Sequence, residues 1–502
     1  MAKPIINRKR AETGIQGLDA ILNGGLPKGR IYLVHGGPGT GKTTTSFHFL
    51  RNGALTGERV LYISLLQTKD EISEILKSHG WSFDGIEMLE LSEGVQKTAA
   101  SEQTLFSPSE VELDEVTDSI IRALDEYKPQ RMALDSVSEL SVLVDSSYQL
   151  RRQLLKLKRA LSRQKCTAIF TAGETKEEDI TSIQTIVHGV ISLQQHAPVY
   201  GPPRRRLMVT KMRGMMYVGG YHDFRINTGG LDVYPRIRMQ SALSKKKPRK
   251  VASGNREIDT LLGGGLEEGT SCLIIGTTGA GKSTLSALYA ETAAKRKEKS
   301  VIFCFDEHKK TFLIRCKGLG MKMPQYIEDG LVDLRQMTVG ESSPGQFIET
   351  VRKAVDKENV RVVVIDSLTG FLAAMVEQQQ LIPQLHELLS YLNGAGVLTL
   401  MIVATHGVIG SPETGIDASY LADTVVLMRH FEAMGKMRRC ISAVKKRHGR
   451  HETTIREVEI GSGGIQLGPP LTEFTGILTG TPRYVGVREK LMSSENEPAE
   501  NG

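Results

Sequence analysis

Two octapeptides, GGPGTGKT at 36–43 and GTTGAGKS at 276–283, share one spacing of glycine, lysine and hydroxyl. Glycines so placed let successive backbone N–H groups turn inward around phosphate oxygens, and a helix starting there adds its positive end. Lys42 and Lys282 would reach the outer phosphates of a nucleotide, and the hydroxyls of Thr43 and Ser283 would hold Mg2+. The pattern predicts ATP or GTP. The contacts would be Gly36, Gly39, Thr40, Gly41, Lys42, Thr43 and Thr44 in the first copy. In the second they would be Gly276, Thr278, Gly279, Ala280, Gly281, Lys282, Ser283 and Thr284.

Two further acidic positions follow each loop. The runs MALDS and VVVIDS end in Asp135 and Asp366, carboxylates at strand ends that can hold Mg2+ through water. IFCFDE at 302–307 ends in Asp306 and Glu307, which could orient or deprotonate an oxygen attacking the outer phosphate. At the same interval after the first loop, YISLLQ ends in Leu66 and Gln67. Leucine can do neither job, although glutamine can still orient a water. The first site is therefore expected to bind ATP and to turn it over slowly or not at all.

These residues sit in one unit written twice. Residues 14–44 lie over 254–284 without a gap, and 13 of the 31 positions are identical. A length of 502 residues suits two domains. Expected boundaries are 1–240 and 251–482, joined by the basic linker SALSKKKPRK (241–250) and followed by a disordered acidic tail, 483–502. Within each half, Val- and Ile-rich runs such as 30–36, 131–136, 271–276 and 361–367 alternate with helical patterns such as 117–127 and 381–396. That alternation predicts an α/β fold with a mainly parallel sheet buried on both faces. Five scattered cysteines suggest neither a zinc site nor a disulfide framework, the N-terminus lacks a signal-peptide core, and the longest apolar run, 397–404, is too short for a bilayer. A cytoplasmic protein without a membrane partner is expected. The net charge of +7 permits an anionic partner without requiring one.

The doubled layout resembles the KaiC family of tandem RecA-like ATPases. The likeness rests on GL-x-GGGL-type openings before both loops, TKMRG (210–214) and VKKRHG (444–449), ALDSVSEL and VIDSLTGF, and the closing segments TIREVEI and GILTGTPR. It covers about residues 14–485. The resemblance implies a homohexamer of two stacked rings with ATP between neighbours. Lys211 and Arg213 would reach the first-domain ATP of the adjacent subunit, and Lys445 and Arg447 the second. It also implies serine/threonine autokinase activity in the second domain. The acceptor region here is DASYLADTVVL, with Ser419, Tyr420 in place of the family's threonine, and Thr414 upstream. Glu307, with Asp306, would serve as base. In the first half His188 stands where Asp423 does. Protein signalling partners fit this reading. Two other readings stay open: a DNA-handling ATPase, permitted by the basic linker and the Arg204–Arg206 run, and a non-catalytic nucleotide-gated scaffold. No helix-turn-helix, zinc motif or aromatic-basic platform supports nucleic acid.

Overall fold

The computed structural model describes residues 9–91, 108–143, 146–174, 176–197, 201–237, 248–338, 340–374, 378–405, 419–478 and 482–486. Thr414, linker residues 241–247 and tail residues 487–502 lie outside the described residues.

The chain forms two compact units, each built on its own nine-stranded sheet. The first sheet comprises β1 (Ile31–His35), β2 (Val60–Ser64), β3 (Ile86–Glu90), β4 (Arg131–Asp135), β5 (Thr167–Ala172), β6 (Gly189–His196), β7 (Arg204–Met212), β8 (Tyr221–Asn227) and β9 (Gly230–Tyr234). Their spatial order is β3-β2-β4-β5-β1-β6-β7-β8-β9. The second comprises β10 (Ser271–Gly276), β11 (Lys299–Cys304), β12 (Val332–Gln336), β13 (Val360–Asp366), β14 (Leu398–Ala404), β15 (Thr424–Ala433), β16 (Lys436–Lys446), β17 (Arg456–Gly461) and β18 (Gly464–Pro470). Its order, β12-β11-β13-β14-β10-β15-β16-β17-β18, repeats the first. Six strands run parallel in each sheet, and the last three turn back antiparallel. The α/β fold with two RecA-like domains is therefore borne out.

The continuous apolar runs follow from burial on both faces. Tyr32, Val34, Tyr62, Ala133 and Ile169 enter one core of the first domain, while Ile31, Leu33, Ile63, Leu134 and Phe170 enter the other. A strand covered on both sides has no polar face to display. All five cysteines are buried free thiols.

Each central strand, β1 or β10, runs through its glycine loop into a helix, α1 (Lys42–Leu55) or α2 (Lys282–Lys295). The loops need their glycines. Gly41 and Gly281 cap the helices at φ 93° and 105°, and a Cβ on Gly276 would lie 1.8 Å from the Met428 carbonyl oxygen.

Candidate functional site

In the first domain, Lys42 Nζ donates to the carbonyls of Gly36 and Gly37, at 2.8 and 2.9 Å. Thr43 Oγ1 donates to Asp135 Oδ2 at 2.6 Å. Tyr62 OH (2.9 Å) and Thr171 Oγ1 (2.5 Å) also donate to that carboxylate, so three hydroxyls fix it. In the second domain Lys282 Nζ donates to the Thr277 carbonyl at 2.7 Å, and Ser283 hydrogen-bonds Asp366. Ile302 and Ile402 occupy the positions of Tyr62 and Thr171, so Asp366 lacks those two hydroxyls. Burial raises its carboxyl to about 6, against the Ser283 bond. Burial also lowers the Lys282 ammonium to about 8, against the attraction of Asp366 and Asp306. In both domains a hydroxyl and a carboxylate meet at the start of the loop helix. This hard-oxygen pair beside a lysine fits Mg2+.

Asp306 accepts a hydrogen bond from Ser367 Oγ. Glu307 forms a two-pronged ion pair with Arg315, which lies on the helix Lys309–Gly318 (2.7 Å Nη2–Oε2, 3.2 Å Nε–Oε1). Arg315 Nη1 also reaches Thr284 Oγ1 of α2 at 3.3 Å, tying the acid pair to the phosphate loop's helix. In the first domain Leu66 is 63% exposed, and the Gln67 N–H turns back onto Ser64 Oγ at 3.0 Å. Glu174 adds a negative charge beside Lys42.

Sequence reading gave no role at the sites to three arginines, Arg205, Arg439 and Arg315. Arg205 Nε donates to the Gly39 carbonyl (3.3 Å), and Arg439 Nε to the Gly279 carbonyl (3.0 Å), bracing the two loops alike. Arg206 stacks over Tyr221 at 5.1 Å. The Arg204–Arg206 run thus spends two of its side chains on its own domain. Arg315 is the third, and its offset of eight residues from Glu307 carries no motif.

The lysine–arginine pairs and the proposed acceptors occupy the other end of each sheet. Thr424, at the start of β15, pairs with Cys272, whereas Met428 pairs with Gly276 at the loop end. Lys445 Nζ binds the Ser419 and Ala422 carbonyls (both 2.9 Å), and Arg447 Nη2 the Tyr420 carbonyl (3.0 Å). Lys211 repeats this on Gln184 and Val187, and Arg213 on Thr185. One chain therefore does not bring Ser419 or Tyr420 to its own Glu307, nor its own lysine–arginine pair to its own loop.

The same end explains His188. Asp423 Oδ2 accepts from the backbone N–H and the hydroxyl of Ser271, at 2.9 and 3.0 Å. His188 Nδ1 accepts from the matching N–H, that of Ile31, at 3.2 Å. Each side chain fastens the start of a central strand. An acceptor nitrogen must be unprotonated. Burial lowers the His188 pKa, as do the charges of Lys158, Arg213 and Lys211. A lowered histidine pKa means the unfolded chain binds the extra proton, so stability falls as pH drops through about 6.5. Acid unfolding of the first domain, followed by tryptophan fluorescence at Trp81, should show this step. His188→Asn, which keeps an acceptor but takes up no proton, should make the step shallower, leaving the share of His35, His48 and His222, whose burial also lowers their pKa.

Tandem sheets, paired glycine loops and strand-end aspartates define a double-domain RecA-like P-loop ATPase. The family model described as "ATPase: KaiC" matches residues 11–238 and 251–472, and the chain belongs to the KaiC ATPase family. It is 26% identical over 494 residues to the circadian clock protein KaiC3 of Synechocystis sp., covering 96% of each chain. It is 25% identical over 496 residues to the circadian clock oscillator protein KaiC of Synechococcus elongatus, covering 96% of this chain and 93% of that one. Among the described residues no helix is long and apolar enough to cross a membrane.

Proposed function

We propose that the second domain is the main ATP-hydrolysing and phosphoryl-transferring unit, and that the first chiefly grips ATP and holds copies of the chain together. The observation that carries this reading is the unequal pair of strand ends: Asp306 and Glu307 after the second loop, Leu66 and Gln67 after the first. Lys42 and Lys282 hold the outer phosphates. Thr43 with Asp135, and Ser283 with Asp366, hold Mg2+, which when bound offsets charge on the phosphate oxygens. Glu307 takes the proton from the attacking oxygen, and Asp306 helps to place that oxygen.

Lys445 and Arg447 act on the ATP of a neighbouring copy, as Lys211 and Arg213 do in the first domain. The position of both pairs at the far end of the strands supports delivery in trans, and a ring of six copies satisfies every site. For the same reason the serine/threonine autokinase reaction joins two copies. Ser419 is the first acceptor, with Thr414 and Tyr420 as the others, and the base is a neighbour's Glu307. The protein works in the cytoplasm as a signalling component with protein partners, and neither membrane nor nucleic acid takes part.

Incubation with γ-labelled ATP and Mg2+, followed by phosphosite mapping, tests this reading. Label at Ser419 that disappears in Glu307→Gln supports it. Label released only as free phosphate removes the kinase and leaves the ATPase.

A further inference from the structure

The first site lacks an acid at Leu66, but it does not lack a free carboxylate. Strand register fixes the comparison. Ser64 pairs with Asp135 in the first domain, and Cys304 with Asp366 in the second. Leu65 N–H then bonds the Asp135 carbonyl (2.9 Å), as Phe305 N–H bonds the Asp366 carbonyl (2.7 Å). The next residues, Leu66 and Asp306, are therefore equivalent. Four residues beyond each aspartate stand Glu139 and Gly370.

Those two positions face the same space. A Cβ built on Gly370 would fall 2.4 Å from Asp306 Oδ1 and 3.0 Å from its Cγ. With a side chain at residue 370, Asp306 would have to leave its observed position. In the first domain the arrangement is reversed. Leu66 is exposed to solvent, and residue 139 carries an acid where the second domain has Gly370. The hydroxyl that holds Asp306, that of Ser367, has its counterpart in Ser136, which donates instead to Ser138 Oγ at 2.9 Å. The Glu139 side chain is half-buried and has no hydrogen bond or ion pair among the described residues. It lies near enough to Asp135 to feel that charge.

We propose that Glu139 is the water-orienting carboxylate of the first domain, moved from the end of β2 to the short helix Ser138–Val142 that follows β4. This rests on the reading of the first domain as a slow ATPase and names the group behind its turnover. Glu139 accepts a hydrogen bond from a water whose oxygen bonds to the terminal phosphorus of ATP. The bond from that phosphorus to the bridging oxygen breaks, ADP leaves with the electron pair, and the water proton passes to Glu139 and then to solvent. The carboxylate sits beside the aspartate rather than across from the loop, and no Arg315 counterpart steadies it, since Ile75 holds that position. Slow turnover follows.

The test uses the full chain with Lys282→Ala silencing the second loop. ATP hydrolysis should fall to a slow residual rate, and adding Glu139→Gln should lower that rate about tenfold or more. Binding of a fluorescent ATP analogue by the first domain should stay the same. Leu66→Asp with Glu139→Gly, which rebuilds only the second domain's pairing of Asp306 with Gly370, should recover the residual rate. A residual rate that survives Glu139→Gln overturns the proposal. So does a loss that merely parallels lost ATP binding, or a failed recovery with binding intact. If Lys282→Ala instead leaves the parent rate unchanged, the assignment of the main ATPase to the second domain fails, and the Glu139→Gln comparison still decides the role of Glu139.

Discussion

Glu307→Gln in the full chain should lower steady-state ATP hydrolysis by about a hundredfold, the usual scale for removing a positioned general base. The amide keeps the shape of the side chain but takes up no proton. ATP affinity should change little, because Glu307 touches Arg315 and not the phosphate loop. The corresponding change in the first domain, Gln67→Ala, should leave the total rate within about twofold, since a surface substitution away from a working base has little to remove. A phosphate-release assay with ATP binding measured in parallel checks both. If Glu307→Gln retains most of the parent rate, the unequal division of labour between the domains is wrong.

The parts of this site visible in the sequence are those written at fixed intervals along the chain. Glycine, lysine and hydroxyl of each loop lie within one octapeptide, and the aspartates end apolar runs whose length already marks them as strands. The fold was legible for the same reason, because strands buried on both faces show no polar alternation and the repeat marks where the second set begins. What stayed hidden depends on register between distant strands. Arg205 and Arg439 reach loops about 160 residues away in sequence, through an antiparallel hairpin whose pairing no local pattern sets. The contact between Gly370 and Asp306 spans two strands. His188, notable in sequence for replacing an acid, proves to make the same backbone fastening as Asp423. The family resemblance paired Ser419 with Glu307, and only the strand register shows that a single chain holds them at opposite ends of a sheet.

Mixing two inactive chains should restore activity. On the proposed arrangement, Arg447→Ala removes a cation delivered to a neighbour, and Glu307→Gln removes a base used at home. Alone, each homogeneous assembly should hydrolyse ATP at no more than a few per cent of the parent rate, on the order expected for losing a charged group at the phosphate. Dissociated and reassembled at equal amounts, they should recover about a quarter of it, because one interface in four pairs an intact Glu307 with an intact Arg447. The measurement is hydrolysis before and after subunit exchange. A mixture no better than the mean of its parts would mean that each chain completes its own site.

Lys445 and Arg447 stand at one rim of the sheet and the Gly276–Ser283 loop at the other, so the delivery in trans proposed above would join copies head to tail. Contacts of this kind either close on themselves or run on without limit. The rate per molecule then depends on how many molecules there are. On that proposal, dilution below the self-association threshold silences the protein with every residue intact, and its output reports its own abundance.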